Sequence, residues 1–273
     1  MLSTAFLNCS AIIVHIKRFD MEKALNNVYL AEIAGIHAGD GYMRFEGRRK
    51  EIDISGAVEE REYYDLHVIP LFKKCFCINI IGRDYPSRGT YGFRTSEKCA
   101  IEALSSLGFP SGNKTLIVKV PEIILRSKDY EILTAFLRGY FDTDGSITFD
   151  KKIYNSSPFM KKYNYYPRIM FTTTSKYLAY GVQEITRKLG FNCKIYTHKP
   201  KKDTESLKYK LQITGVEQCE KWMRQIGSKN QSKLSRYLIW KKFGFCPPKT
   251  TYVQRISILN RQSDPKSYYG PVV

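Results

Sequence analysis

Two aspartates stand at matching places in two similar stretches of the chain. YLAEIAGIHAGDGYMRF (29–45) and LTAFLRGYFDTDGSITF (133–149) align without gaps at an offset of 104 residues. Asp40 falls on Asp144, Gly41 on Gly145 and Gly35 on Gly139. In each copy an apolar run with helical spacing leads into the acid and its glycine. A carboxylate at a helix C-terminus faces the negative end of the dipole, which disfavours it by up to about 1 kcal/mol. Two such carboxylates side by side would also repel and raise one pKa. A divalent cation reverses both effects. The chemistry open to these residues is oxygen ligation of a hard cation such as Mg²⁺, which keeps waters and shares carboxylates with phosphate oxygens. A calcium loop is excluded by spacing. Counted from Asp142, the places that need glycine and glutamate hold Ile147 and Ile153.

For the two acids to meet, their helices must pack together. Gly35 and Gly39 are four apart and share one helix face, and the matching face of the second copy carries Ala135, Gly139 and Thr143. A helical glycine costs about 1 kcal/mol against alanine. Close approach of another backbone explains that cost, and each motif helix is the natural partner of the other. Gly35 and Gly139 are therefore the expected helix-interface residues.

The flanking elements repeat as well. After Gly41 come alternating stretches YMRFEG and KEIDIS, a helical pattern over about 60–74, the strand candidates FCINIIG (76–82) and GTYGFRT (89–95), and a helix N-capped by Ser96 that stops near Gly108. After Gly145 come SITFDKKIY, PRIMFTTT, a helix from Ser175 to about Gly190, NCKIYTH, SLKYKLQIT and a helix near 216–226. The expected fold is α+β, two pseudo-symmetric αββαββα repeats with antiparallel sheets and the motif helices at the repeat interface. The divisions are an N-terminal extension 1–26, a first repeat 27–108, a linker 109–129 with breakers such as Pro110 and Gly112, a second repeat 130–243 and a basic, irregular tail 244–273.

The 273-residue chain has a formal charge of +18 and 43% hydrophobic residues. Residues 1–149 hold 19 Lys/Arg against 19 Asp/Glu, so residues 150–273 carry the whole surplus. Such a balance points to a polyanionic partner, nucleic acid first. The seven cysteines are odd in number and scattered, which suits free thiols in a reducing, intracellular compartment: the cytoplasm of a prokaryote, or an organelle. The apolar start MLSTAFLNCSAIIVHI lacks a basic n-region, and no run of 18 apolar residues exists, so neither a secretory leader nor a membrane span is expected.

IAGIHAGDG (33–41) and LRGYFDTDG (137–145) resemble the nine-residue signature of the LAGLIDADG homing endonucleases, in their monomeric two-motif form. VPEIILRSKDYEILTAFLRGYFDTDGSI (120–147) is similar to the family's approach to its second motif, and the resemblance covers about 27–243. It implies that Asp40 and Asp144 bind the catalytic Mg²⁺ or Mn²⁺, with Gly39 and Thr143 beside them as further metal contacts. Asp142 matches an earlier acid of the signature that caps or supports. Motif 1 departs there, with Ala38 at that place and His37 beside it, read as a packed side chain. The family also sets a basic residue near each scissile phosphate. Lys119 fits in the first half, and Lys229 or Lys233 in the second. The family's glutamine near the end of the second strand has no clear match, and Thr173 takes the similar place in half two.

The resemblance further implies a site-specific endonuclease that hydrolyses both strands of DNA at a long, asymmetric target, with the sheets forming a saddle on the duplex. A monomer with two different halves imposes no symmetry on its site. Strand alternation selects the candidate DNA contacts. They are Arg44, Arg48, Arg49, Arg83, Arg88 and Arg94 in half one. In half two they are Lys151, Tyr154, Tyr165, Arg168, Lys194, Tyr196, Lys208 and Lys210. The alternatives are a maturase that binds intron RNA on the same fold, a non-cleaving DNA-binding protein, and a generic basic structural protein. The ends lack the residues of a splicing domain, so an intein is not expected.

Overall fold

The structure is a computed structural model and describes residues 27–153, 159–199 and 205–269. The extension 1–26 and Tyr154 lie outside the described residues.

The first repeat runs α1 (Val28–Asp40), β1 (Gly41–Arg44), β2 (Glu51–Ala57), a helical stretch 58–76 that ends in α2 (Ile69–Phe76), β3 (Arg83–Tyr85), β4 (Thr90–Thr95) and α3 (Lys98–Ser106). A short α4 (Glu122–Arg126) sits in the linker. The second repeat runs α5 (Tyr130–Asp144), β5 (Gly145–Asp150), β6 (Tyr166–Thr173), α6 (Lys176–Lys188), β7 (Cys193–His198), β8 (Lys208–Thr214) and α7 (Val216–Gln225). Then come α8 (Gln231–Phe243) and α9 (Tyr252–Leu259). Each repeat is αββαββα, and each sheet is antiparallel with the same order, β1-β2-β4-β3 and β5-β6-β8-β7.

Strand alternation sets the layers. In β6, Pro167, Ile169 and Phe171 are buried while Arg168 and Met170 stay partly open. Phe171 meets Phe141 of α5 and Trp222 of α7 in one aromatic cluster, so helices cover one face of the second sheet. The first repeat does the same with Phe93 against Phe72. α1 is buried from Leu30 to Ala38, which suits a helix that is apolar all round and enclosed on every side.

The structure departs from the sequence-based expectations at three places. The strand expected at FCINIIG is an irregular segment, and β3 forms one step later at Arg83–Tyr85. Cys77 adopts a left-handed conformation (φ 55°) that ends α2, Ile80 turns inward and Ile81 is 79% exposed. Ser96 does not cap α3, because the chain enters that helix through Glu97 without a side-chain cap. The linker carries the short helix α4. Part of the tail is also helical. Thr251 and Gln254 form a capping box at the start of α9, and Arg255, 1% exposed, bonds Ser235 Oγ at 2.8 Å and Ser232 Oγ at 2.9 Å on α8.

Candidate metal and nucleic-acid site

The site is built on the seam between α1 and α5. Asn27 and Asp129 start the two helices, each side-chain oxygen accepting from the N–H two residues on. At the crossing there is room for no side chain. A Cβ on Gly35 would lie 2.1 Å from the Phe136 carbonyl oxygen, and one on Gly139 would lie 2.2 Å from that of Glu32. One turn further along, a Cβ on Gly39 would lie 2.1 Å from Thr143 Oγ1 and 3.3 Å from Asp144 Cγ. The two C-termini therefore abut, and Asp40 and Asp144 sit together where both helices pass into strands.

Glu32 crosses the seam at the opposite end. It is 2% exposed, accepts from Arg138 Nε (2.9 Å) and Nη2 (2.5 Å), and bonds His67 Nε2 at 2.6 Å. His67 belongs to a π-helical turn, Tyr64–Val68. The same turn aims the Tyr64 hydroxyl at Asp40 Oδ2, 2.8 Å away. π turns are rare and recur at functional sites, and this one serves both ends of the seam.

Burial, then the Asp144 charge, push the Asp40 carboxyl up to about 7, with Glu60 adding to the rise and Tyr64 opposing it. Asp144 lies at the exposed rim of the seam. The protein packed around its carboxylate still raises its pKa, against the pull of Lys114 and Lys233. These two lysines balance the cluster. Lys114 Nζ donates to the carbonyls of Ala38 (2.8 Å) and Gly39 (2.7 Å) as well as His37. Lys233 Nζ donates to those of Phe141 (2.9 Å) and Thr143. At the offset of 104, His37 matches Phe141 and Gly39 matches Thr143, so each lysine closes the same carbonyls of its own motif helix. The carbonyls of His37 and Phe141 already accept from the N–H of the capping glycines Gly41 and Gly145, the lysines add bonds to the carbonyls that follow, and the ammoniums also offset the paired dipoles. Burial lowers the Lys114 pKa to about 8, against the pull of Asp144 and Asp40.

Several expected residues fall elsewhere. Lys119 is exposed and lines a cleft with Val120, Tyr177 and Tyr180, away from the acids; Lys114 occupies the place expected for it. The chain after Gly112 runs past the end of α1, and only a lysine two residues on reaches the carbonyls. Lys229 reaches the motif through its backbone N–H, which donates to Asp142 Oδ2 at 2.7 Å. Gly39 and Thr143 supply carbonyl oxygens at the expected place, but here these accept from lysines, leaving one lone pair each.

Asp142 is fully buried and also accepts from Ser228 Oγ at 2.5 Å. Asn230 Nδ2 bonds the Asp142 carbonyl (2.8 Å) and Glu60 Oε1 (2.7 Å), and the Asn230 side chain caps α8, whose first turn carries Lys233. Asp142 is thus a support for the second lysine. His37 is buried and packs edge-on against Phe109 at 4.6 Å, and burial holds its ring neutral. Sequence reasoning missed Tyr64 and Lys114. The repeat of helix-capping lysines was findable only once the chain path was known.

Among the described residues, register gives each sheet one face free of helices. On the first, Tyr42, Arg44, Asp53, Arg94, Arg83 and Tyr85 share that face. Arg48 and Arg49 are exposed in the β1–β2 turn, and Arg88 lies in the β3–β4 connection. On the second, Arg168, Lys194, Tyr196, Lys208 and Lys210 share a face with Met170, Thr172 and Gln212. Arg168 is paired with Asp150. Lys151 sits in the turn after β5 with its ammonium 5.8 Å from the Tyr269 ring. Tyr165 is a correction. It precedes β6 and lines a cleft with Val216 and Trp240 on the helix side, while Tyr166 takes the open face. Ala38, Gly39, Lys114, Asp144, Thr172 and Lys208 line one cleft, so the acid site opens onto the second sheet.

Among the described residues no group of three or more acids, histidines or cysteines is placed to hold a metal ion. The donor set suits a hard divalent ion nonetheless. It offers two carboxylates whose mutual repulsion a cation would relieve and carbonyl oxygens beside them, with water and phosphate left to complete the shell.

The LAGLIDADG-like domain family matches residues 131–227. Replication factor C small subunit of Methanocaldococcus jannaschii is 27% identical over 212 residues, 78% of this chain, and the chain spans about a tenth of the length of that relative. The homing endonuclease I-WcaI, solved bound to its DNA recognition sequence, is 17% identical over 76% of this chain and 85% of its own, with a TM-score of 0.50. I-DmoI, solved in complex with DNA and Mn, is 18% identical over 74% of this chain and 98% of its own, with a TM-score of 0.49.

Proposed function

From the LAGLIDADG-like domain that this chain carries, and the two-repeat α+β fold it shares with the LAGLIDADG homing endonucleases, we propose that it is a divalent-metal-dependent, site-specific double-strand DNA endonuclease. The observation that carries the reading is the retention of both acids, Asp40 and Asp144, at abutting helix ends with a lysine beside each. A protein that only bound DNA would have no use for two carboxylates that repel each other there.

Asp40 and Asp144 would hold the divalent ions, Mg²⁺ or Mn²⁺, with Gly39 and Thr143 contributing carbonyl oxygens. Bound there, the metal supplies Lewis-acid polarisation of the phosphate and a water activated at neutral pH. Tyr64 fixes the rotamer of Asp40 through its hydrogen bond. Lys114 and Lys233 offset negative charge that develops on the two scissile phosphates. The open sheet faces lie in the major groove on either side, and their basic side chains bind phosphates and base edges. The two faces differ residue by residue, so the target is long and asymmetric and one chain acts alone.

The test uses a plasmid carrying the chain's own locus rejoined without the coding insertion. Wild type with Mg²⁺ should linearise it, and Asp40→Asn and Asp144→Asn should bind it without cutting. Tight binding by wild type without cleavage, on a locus shown to hold the bound site, would refute the nuclease and leave a non-cleaving DNA-binding protein.

A further inference from the structure

Asp53 is an anomaly on the open face of the first sheet. A carboxylate in the middle of a cationic face weakens its attraction for a polyanion. Yet the Asp53 side chain is only 6% exposed, because two arginines cover it. Its Oδ2 accepts from Arg94 Nε at 2.7 Å and from Arg88 Nη1 at 3.0 Å, and its Oδ1 accepts from Ser55 Oγ at 3.1 Å. Tyr85 lies against the same group, its ring centroid 4.3 Å from the Arg88 guanidinium and 5.4 Å from that of Arg94.

The bond to Asp53 uses Arg94 Nε and leaves the fork of Nη groups out of it. The Arg94 side chain remains 42% exposed. A guanidinium meant for a phosphate needs charge, and a neighbouring carboxylate takes charge away. A guanidinium meant for a base edge needs direction, and a carboxylate on Nε with an aromatic ring alongside supplies it. Arginine's two Nη groups match the O6 and N7 acceptors of guanine in the major groove. Lysine offers no such fork.

We propose that Arg94, oriented by Asp53 and Tyr85, is a specificity-determining residue that reads one guanine in the major groove of a DNA duplex. This rests on the reading of the sheets as a DNA-binding surface. The second half has no counterpart. Gly41 pairs with Ile54 as Gly145 pairs with Phe171, so Met170 and Gln212 take the register places of Asp53 and Arg94. The guanine therefore lies on one side of the target without a symmetry-related mate.

The experiment is selection of bound duplexes from a randomised DNA pool by the full chain, with EDTA present so that cleavage plays no part. Wild type should enrich a sequence with a fixed guanine. Arg94→Lys keeps the charge and loses the fork, and should cut the preference at that base pair by roughly 5- to 150-fold while other positions keep theirs. Asp53→Asn should weaken the same position by less. An Arg94→Lys profile equal to wild type overturns the guanine assignment alone. So does a uniform loss at all positions with Arg94→Ala, which is the mark of a phosphate contact. No enriched sequence with wild type overturns the DNA-binding reading and this inference with it.

Discussion

Replacing Gly35 by alanine separates two explanations of the motif helices by the sign of the result. A new Cβ would stand 2.1 Å from the Phe136 carbonyl oxygen and 2.8 Å from the Tyr140 nitrogen, where ordinary contact begins at 3.4 Å. Both obstacles are backbone and cannot rotate away. The helices would have to part by about 1.3 Å, and a gap of even 0.5–1 Å forfeits a quarter to a half of the dispersion energy across it. Overpacking of this kind costs about 1–3 kcal/mol, and a rigid obstacle puts it near the top. Alanine's better helix propensity returns about 1 kcal/mol. The net loss is about 2 kcal/mol, and at about 2–4 °C per kcal/mol for a chain of this size Tm falls by about 4–8 °C. Thermal unfolding followed by circular dichroism reads this directly. An unchanged or higher Tm would mean that the glycine is only a weak helix former, and the close-contact argument would fail. Adding Gly139→Ala should cost less than it does alone, because the seam is already open.

Lys114→Met should lower the cleavage rate by about 10²–10³-fold, the usual loss for one charge-stabilising donor, while Lys119→Met leaves it unchanged; equal effects would undo the assignment of Lys114. Glu32 gives a pH signature. Burial alone would raise its pKa, but hydrogen bonds from Arg138, then His67, bring it down to about 2 from 4.5. A lowered folded pKa contributes stability that is complete above pH 4.5 and is lost as pH falls from there through about 2, about 3 kcal/mol in all. Glu32→Gln should flatten that part of the acid-unfolding curve, and an unaltered curve would count against the pairing. Asp142→Ala leaves the Ser228 hydroxyl and the Lys229 N–H without their acceptor and should cost about 1–3 kcal/mol in urea unfolding. A loss under about 0.5 kcal/mol, typical of surface changes, would remove Asp142 from the supports of Lys233.

What could be read in advance was whatever depends on periodicity. The gapless repeat, the small faces at Gly35 and Gly139, and the strands of the second half all follow from local patterns that the fold does not overrule. The errors arise where tertiary packing decides. Ile78 and Ile80 suggested a strand, but the left-handed turn at Cys77 delays pairing until Arg83. Lys119 and Lys114 are equally basic, and only the path of the linker across the end of α1 tells them apart. Tyr165 and Tyr166 differ by one residue, which in a strand means opposite faces. Tyr64 gave no signal, because a π turn is invisible to a 3.6-residue pattern. The α9 capping box was legible in Thr251 and Gln254 but lay among prolines that suggest irregular chain.

The seam also fixes the order in which the chain can be finished during synthesis. Glu32 finds its arginine 106 residues later, and the bare face at Gly35 waits for the same helix. Glu60 then waits for Asn230, 170 residues on, and Glu62 waits for Tyr252. A nascent first repeat leaving the ribosome therefore holds Glu32 with His67 but without its arginine, and a glycine groove without its partner helix, for about 5–20 s at about 5–20 residues added per second. Long-range closure of this kind slows folding. Cutting the chain within the linker would yield two fragments that each keep their own sheet but lack the partner motif helix, so the small-residue face of each would stay uncovered until the two meet.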